Sequence, residues 1–167
     1  MAFRLLEPAD LGGNFFRLFG EDWALLSAGG PDDYNMMTVS WGQTGVLWNR
    51  PVATVYARPQ RYTKRFLDAG DVFALSFFGE ESRAALKFCG SASGRTSDKK
   101  HVPGLTPAFR DGAVVFEEAR LVLICRTLYR APLLAEGFTD PAVPAACYPA
   151  GDYHTAYTGE IVKVLAR

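Results

Sequence analysis

The sequence is poor in the residues that most often announce a chemistry. It has two histidines, His101 and His154, and three cysteines, Cys89, Cys125 and Cys147. The cysteines are odd in number, widely spaced and form no CxxC, which argues against a disulfide framework. Two distant histidines leave a zinc ion without a compact ligand set. Charge of one sign is also missing, because 18 Lys and Arg balance 18 Asp and Glu. The charges are scattered, whereas a nucleic-acid binder shows a basic excess, so no nucleic-acid partner is expected. No apolar run approaches the roughly 20 residues that span a bilayer. The opening "MAFRLLEPADLGG" breaks its apolar stretch with charges and a proline, unlike a signal peptide. The expectation is a cytoplasmic protein with no membrane partner. Internal repeats, low-complexity tracts and linkers are absent. No G-x-G-x-x-G follows a strand, and strands do not alternate regularly with helices, so a doubly wound nucleotide-binding fold is a poor fit.

What is present is a core. The chain has 167 residues, 49% hydrophobic and 13% aromatic, which suits one domain over 1–167. Short β-rich runs are punctuated by Gly, Pro and Asp: Trp23–Gly30, the run from Asn35 into Gly42, Arg50–Arg58, Asp71–Gly79 and the closing "HTAYTGEIVKVLAR". Residues 112–134 read as a hairpin turning near Glu117–Ala119. Helical spacing is expected over 59–69, opened by Pro59 and stopped by Gly70, and again over 80–90. Residues 91–104 form a polar loop, and residues 139–153 a proline-rich excursion. Six or seven strands with short links favour antiparallel pairing. The fold class expected is mainly β, a small antiparallel β-barrel with short helices in its connections.

Three clusters carry chemical potential. The first is "YNMMTVSWGQTG", which concentrates Asn35, Thr38, Ser40 and Trp41 on one strand before two glycines. Thr38 and Ser40 share a strand face, and Gly42 and Gly45 permit a bulge or a close backbone approach. The same pattern would serve as the polar outer face of a barrel strand. The second is "RPQRYT". If Pro59 opens the helix, Arg61 and Thr63 lie in its first turn, where free N–H groups and the dipole favour an anion. Arg58 and Arg61 add bidentate donors; otherwise both are solvated charges. The third is "SGRTSDKK", a mobile polar loop or a further cationic contribution from Arg95, Lys99 and Lys100. Cys89 reads as a buried, inert thiol. FMN suits these parts: it has a phosphate that needs cations and hydroxyls, a polar ribityl chain, and a flat ring whose edge takes backbone donors and acceptors.

The segments "NMMTVSWGQTGVLWNRPVATVYARPQRYTKRFL", "SFF", "SGRTSDKK" and "GDYHTAYTGEIVKV" resemble the flavin reductase-like, FMN-binding split-barrel family, in particular its flavoredoxin-like branch. The likeness runs from about Trp23 to Val164. It implies a six-stranded antiparallel Greek-key barrel and a homodimer with flavin near the interface. Carried over, it assigns Arg58, Arg61 and Thr63 to the phosphate, and Thr38, Val39, Ser40, Trp41 and Asn35 to the ring and ribityl. Lys99 matches the family's Asp-Lys step, although Lys100 stands where an aromatic is usual. His154 matches a histidine near the flavin and takes the catalytic role; as a residue it could equally be structural. The activity implied is electron transfer from NAD(P)H through FMN to an acceptor. The alternatives are a flavoredoxin-like carrier reduced by a redox partner protein, and a flavin-binding or sensing protein without turnover.

Overall fold

The computed structural model describes residues 2–167. Its strands are β1 (Arg4–Leu6), β2 (Ala24–Gly29), β3 (Tyr34–Val39), β4 (Gly42–Leu47), β5 (Arg50–Ala57), β6 (Val72–Phe77), β7 (Pro107–Arg110), β8 (Ala113–Phe116), β9 (Leu121–Pro132) and β10 (Thr155–Ala166). Its α-helices are α1 (Phe15–Arg17), α2 (Lys64–Ala69), α3 (Arg83–Ser91) and α4 (Ala142–Cys147). The main sheet runs β3-β2-β6-β9-β10-β5-β4, with β1 added to β10. All its pairs are antiparallel. The mainly β class is therefore as expected, with β4, β1 and the β7–β8 pair as further strands.

One connection explains the closed shape. β3 and β4 stand at opposite ends of the hydrogen-bonded order. Only Ser40 and Trp41 join them. Three peptide steps reach at most about 11 Å. The sheet must therefore curl until its two ends nearly meet, leaving a split barrel with a seam between β3 and β4.

The curled sheet is buried on both faces. Leu26, Phe73, Leu75, Leu123 and Tyr157 fill the barrel. Their neighbours Leu25, Ala74, Val122 and Ile124 pack outward against Leu86 of α3 and Val114 and Phe116 of β8. This two-sided burial is why "VFALSF" and "LVLIC" read as nearly continuous apolar runs and not as alternation. Burying such a Leu or Phe contributes about 1.5–3 kcal/mol.

Three elements depart from the sequence reading. β8 does not pair with β9. It pairs with β7 through a turn at Asp111–Gly112, both with positive φ, the Asp-Gly hairpin signature. β9 instead crosses to lie between β6 and β10. β4 was unread because "GQTGVL" is glycine-rich; its hairpin with β5 turns at Trp48–Asn49, also at positive φ. α2 starts at Lys64, not Pro59. Residues 59–63 are turns, closed by the Arg61 N–H on the Arg58 carbonyl and the Lys64 N–H on the Arg61 carbonyl, each at 3.0 Å.

Candidate functional site

The seam lies between two strand edges. Among the described residues β3 pairs only with β2 and β4 only with β5, and an edge strand presents backbone N–H and C=O groups that a ligand can pair with. Two hollows lie along it. One, of about 230 Å³, is lined by residues 37–41, Tyr56, Arg58, Arg61 and His154. The other, of about 180 Å³, lies against the loop after α3 and includes Asn35, Arg61, Thr63, Ser93 and Lys99. Met37 and Arg61 line both, so the hollows are two halves of one furrow.

The smaller half is a nest of donors. Thr63 is buried, and its Oγ1 accepts from Asn35 Nδ2 at 2.8 Å, leaving the Thr63 hydroxyl proton free to donate. Arg61 is anchored by the end of α3: Nη1 donates to the Gly90 carbonyl at 2.7 Å, Nη2 to the Cys89 carbonyl at 3.4 Å, and Nε contacts Met37 Sδ at 3.4 Å. Lys99, 3% exposed, donates to the Cys89 carbonyl at 2.8 Å and the Ala92 carbonyl at 3.3 Å. Both cations complement the carbonyl end of a helix. Neither is saturated, since a guanidinium has five N–H donors and an ammonium three. Burial, aided by the Arg61 charge, lowers the Lys99 pKa to about 8. Burial also lowers that of Arg61. No carboxylate is paired with either among the described residues. Gly94 closes the wall: a Cβ there would stand 2.4 Å from Asn35 Oδ1 and 2.7 Å from the Tyr62 ring.

The larger half is aromatic. The His154 ring centroid lies 5.3 Å from that of Trp41, 5.5 Å from Tyr148 and 6.3 Å from Tyr56. His154 Nδ1 is 2.8 Å from the Tyr148 hydroxyl. Burial, with a smaller contribution from the Arg58 charge, lowers the His154 pKa to about 4, so its ring is neutral near pH 7. Arg58 donates to Asp152 Oδ2 at 2.6 Å and to the Cys147 carbonyl at 2.8 Å, and it lies over the Tyr148 ring.

The furrow brings together most of the residues singled out from the sequence, but it sorts them differently. Asn35 stands with Arg61, Thr63 and Lys99, not with the aromatic half. Arg58 stands apart from Thr63, and its charge is paired with Asp152 at 2.6 Å. Arg61 and Thr63 do not occupy a helical first turn, since α2 begins after them. The Val39 side chain is buried in the barrel core, leaving only its backbone to face the seam. Thr38 Oγ1 is engaged by the Leu86 carbonyl at 2.5 Å. Ser40 is exposed, and Trp41 is 46% exposed at the seam. Reasoning from sequence missed Tyr56, Tyr148 and the Asp152–Gln60 contact of 2.8 Å. Asp152 sits two residues before His154 in "GDYHT", a signal that was available.

A mainly β split barrel with a donor-lined seam defines a class, and sequence comparison specifies it. Residues 16–167 match the family model described as a flavin reductase like domain; the chain belongs to that family. No curated protein matches the chain. Among solved structures, flavoredoxin from Methanosarcina acetivorans superposes with a TM-score of 0.67 at 21% identity, covering 87% of this chain and 68% of that one. An FMN-binding protein from Thermus thermophilus gives 0.70 at 19%, covering 98% and 82%. A Streptomyces globisporus NADH:FAD oxidoreductase gives 0.62 at 19%, covering 96% and 85%. At these identities the likeness to solved structures establishes the fold.

Proposed function

We propose that this chain is an FMN-binding oxidoreductase of the flavin reductase type, which takes electrons from NAD(P)H and passes them to an acceptor. The observation that carries the reading is the smaller half of the furrow, where Arg61, Lys99 and the Thr63 hydroxyl offer unsaturated donors with no carboxylate among them. That donor set fits a phosphate monoester. The aromatic half and the edges of β3 and β4 fit a flat, amide-rimmed ring. Bound there, a flavin supplies hydride and electron transfer.

The chain's own residues bind and tune. Arg61, Lys99 and Thr63 hold the phosphate. Asn35 orients the Thr63 hydroxyl. Ser40, Trp41 and the backbone of 38–41 border the ring. The hydrogen bond between the Tyr148 hydroxyl and His154 Nδ1 fixes the orientation of the imidazole. A neutral imidazole in the cleft wall borders the ring without adding a positive charge. No side chain need act as an acid or base, which is consistent with the lack of a triad or carboxylate pair in the furrow. The outer strand β4 leaves Val46 78% exposed, with Trp48 and Tyr129 beside one another at 6.3 Å; that surface supports a homodimer.

The test is an anaerobic absorbance titration of the FMN-loaded protein with NADH, then NADPH, with dithionite as control. Bleaching by a nicotinamide is the expected result. Bleaching by dithionite alone would replace this reading with a carrier reduced by a protein donor.

A further inference from the structure

The chain has five lysines, and one of them is unlike the rest. Lys64, Lys100 and Lys163 reach the carboxylates of Asp68, Asp33 and Asp111 at 2.8, 2.8 and 2.7 Å. Lys87 is exposed on α3. Lys99 is buried and lines the donor half of the furrow. Among the described residues its nitrogen meets no acid, only the Cys89 and Ala92 carbonyls at 2.8 and 3.3 Å.

Those two carbonyls leave one position of the Lys99 nitrogen to the hollow. Two of its tetrahedral positions carry the N–H groups that the carbonyls accept, and the amine and the ammonium can both supply two. In the ammonium the third position is another N–H, which holds an anion. In the amine it is a lone pair. Burial, aided by the Arg61 charge, brings the Lys99 pKa to about 8, so both forms coexist just above neutrality, where an exposed lysine is almost wholly charged. An amine whose N–H bonds are fixed and whose lone pair faces a hollow is an activated nucleophile.

The nest also supplies a seat for a leaving group. Arg61 Nη2 and Lys99 Nζ share the Cys89 carbonyl, at 3.4 and 2.8 Å, so the two nitrogens stand within two hydrogen-bond lengths of one another. The Thr63 side chain lines the same hollow. A phosphoryl group on Arg61 and Thr63 brings whatever is bonded to it within reach of the Lys99 nitrogen. The volume of about 180 Å³ admits a compact molecule of this kind.

We propose that Lys99 is an acylation site for small acyl phosphates, which enter the donor half of the furrow when FMN is absent. The phosphate seats on Arg61 and Thr63, and the amine attacks the acyl carbon. An N–C bond forms, the C–O bond to the phosphate breaks, and the bonding pair leaves with the phosphate. The amine proton ends on that phosphate, so the products are an amide and hydrogen phosphate. The amide is uncharged, so the nest loses a cation and holds FMN less well. FMN occupancy and acylation exclude one another. That the modification regulates a flavin site rests on the flavin reading; the acylation itself rests on the nest taking a phosphate.

The test incubates FMN-free protein at pH 8 with acetyl phosphate and follows each lysine by peptide mass spectrometry. N-hydroxysuccinimidyl acetate, which carries the same acetyl group without a phosphate, is the parallel reagent. With acetyl phosphate, Lys99 should react at least about tenfold faster than the exposed Lys87. With the succinimidyl ester that lead should vanish, since burial then only obstructs. Inorganic phosphate should slow Lys99 and leave Lys87 unaffected. The acetylated protein should bind FMN about tenfold more weakly, with riboflavin unchanged. The proposal is overturned if Lys99 does not lead, if both reagents give the same lead, if phosphate does not protect, or if acetylation leaves FMN affinity as it was. FMN binding by a protein whose Lys99 is unreactive would defeat this inference and leave the flavin reading intact. Phosphate-protected acetylation of Lys99 in a protein that takes up no flavin would support the site and defeat the flavin reading.

Discussion

The two ends of the furrow both hold arginine, and they treat it in opposite ways. Arg58, at the aromatic end, is matched by a carboxylate and a carbonyl. Arg61, where the two halves meet and facing the donor end, is held by carbonyls at the close of α3, and among the described residues no acid pairs with it or the neighbouring Lys99. A helix terminus holds a cation in place through partial charges without neutralising it. A carboxylate does neutralise it. Position alone thus decides which cation remains available to an anion.

The most damaging way to probe this contrast is to strip the donor end. Arg61→Ala combined with Thr63→Ala should weaken FMN by roughly 100-fold or more, from the loss of charge-assisted hydrogen bonds. Riboflavin, which lacks the phosphate, should lose little; flavin fluorescence quenching measures both. Equal losses would mean the variant has disturbed the furrow as a whole.

A second probe uses pH on the intact protein. Lys99 titrates near pH 8, and its charged form is the one a phosphate prefers. FMN affinity relative to riboflavin should therefore fall by up to about tenfold as pH rises through that value and beyond. A ratio flat from pH 7 to 10 would remove Lys99 from the site.

The aromatic end predicts the opposite pH response, in stability. The His154 pKa is lowered from its ordinary value to about 4. The unfolded chain therefore takes up a proton that the folded one refuses. The stabilisation is present above pH 6.5 and is lost as pH falls from there to about 4, on the order of 3 kcal/mol at most. Urea midpoints across this range should fall more steeply for the native protein than for His154→Gln. Parallel slopes would show that His154 does not titrate as described.

The smallest effect belongs to Arg58. Arg58→Gln should leave the preference for FMN over riboflavin within about twofold, because its charge is already matched. A loss comparable to that of the Arg61 variant would erase the contrast between the two ends.

Much of this arrangement was legible in the sequence. Barrel strands announced themselves through paired apolar runs and turn residues, and the strand bearing Asn35 to Trp41 stood out by its polar load. The partners of the cations were not legible. Asp152 lies 94 residues from Arg58, and the Gly90 carbonyl lies 29 residues from Arg61; no local pattern encodes such meetings. The helix at Pro59 was misread because proline suits both a first helical turn and a turn preceding a helix. The β8–β9 hairpin was misread because β8 is apolar enough to pair anywhere, while the Asp-Gly step that fixes its partner lies just upstream.

The account's central claim is that the donor end of the furrow holds a phosphate. Isothermal titration of the purified protein with FMN and with riboflavin, in the same buffer near pH 7, tests it most directly. FMN should bind at least about 100-fold more tightly, the worth of two charge-assisted contacts. Equal affinities would contradict the claim, and the cations Arg61 and Lys99 would then be no more than caps on the end of α3.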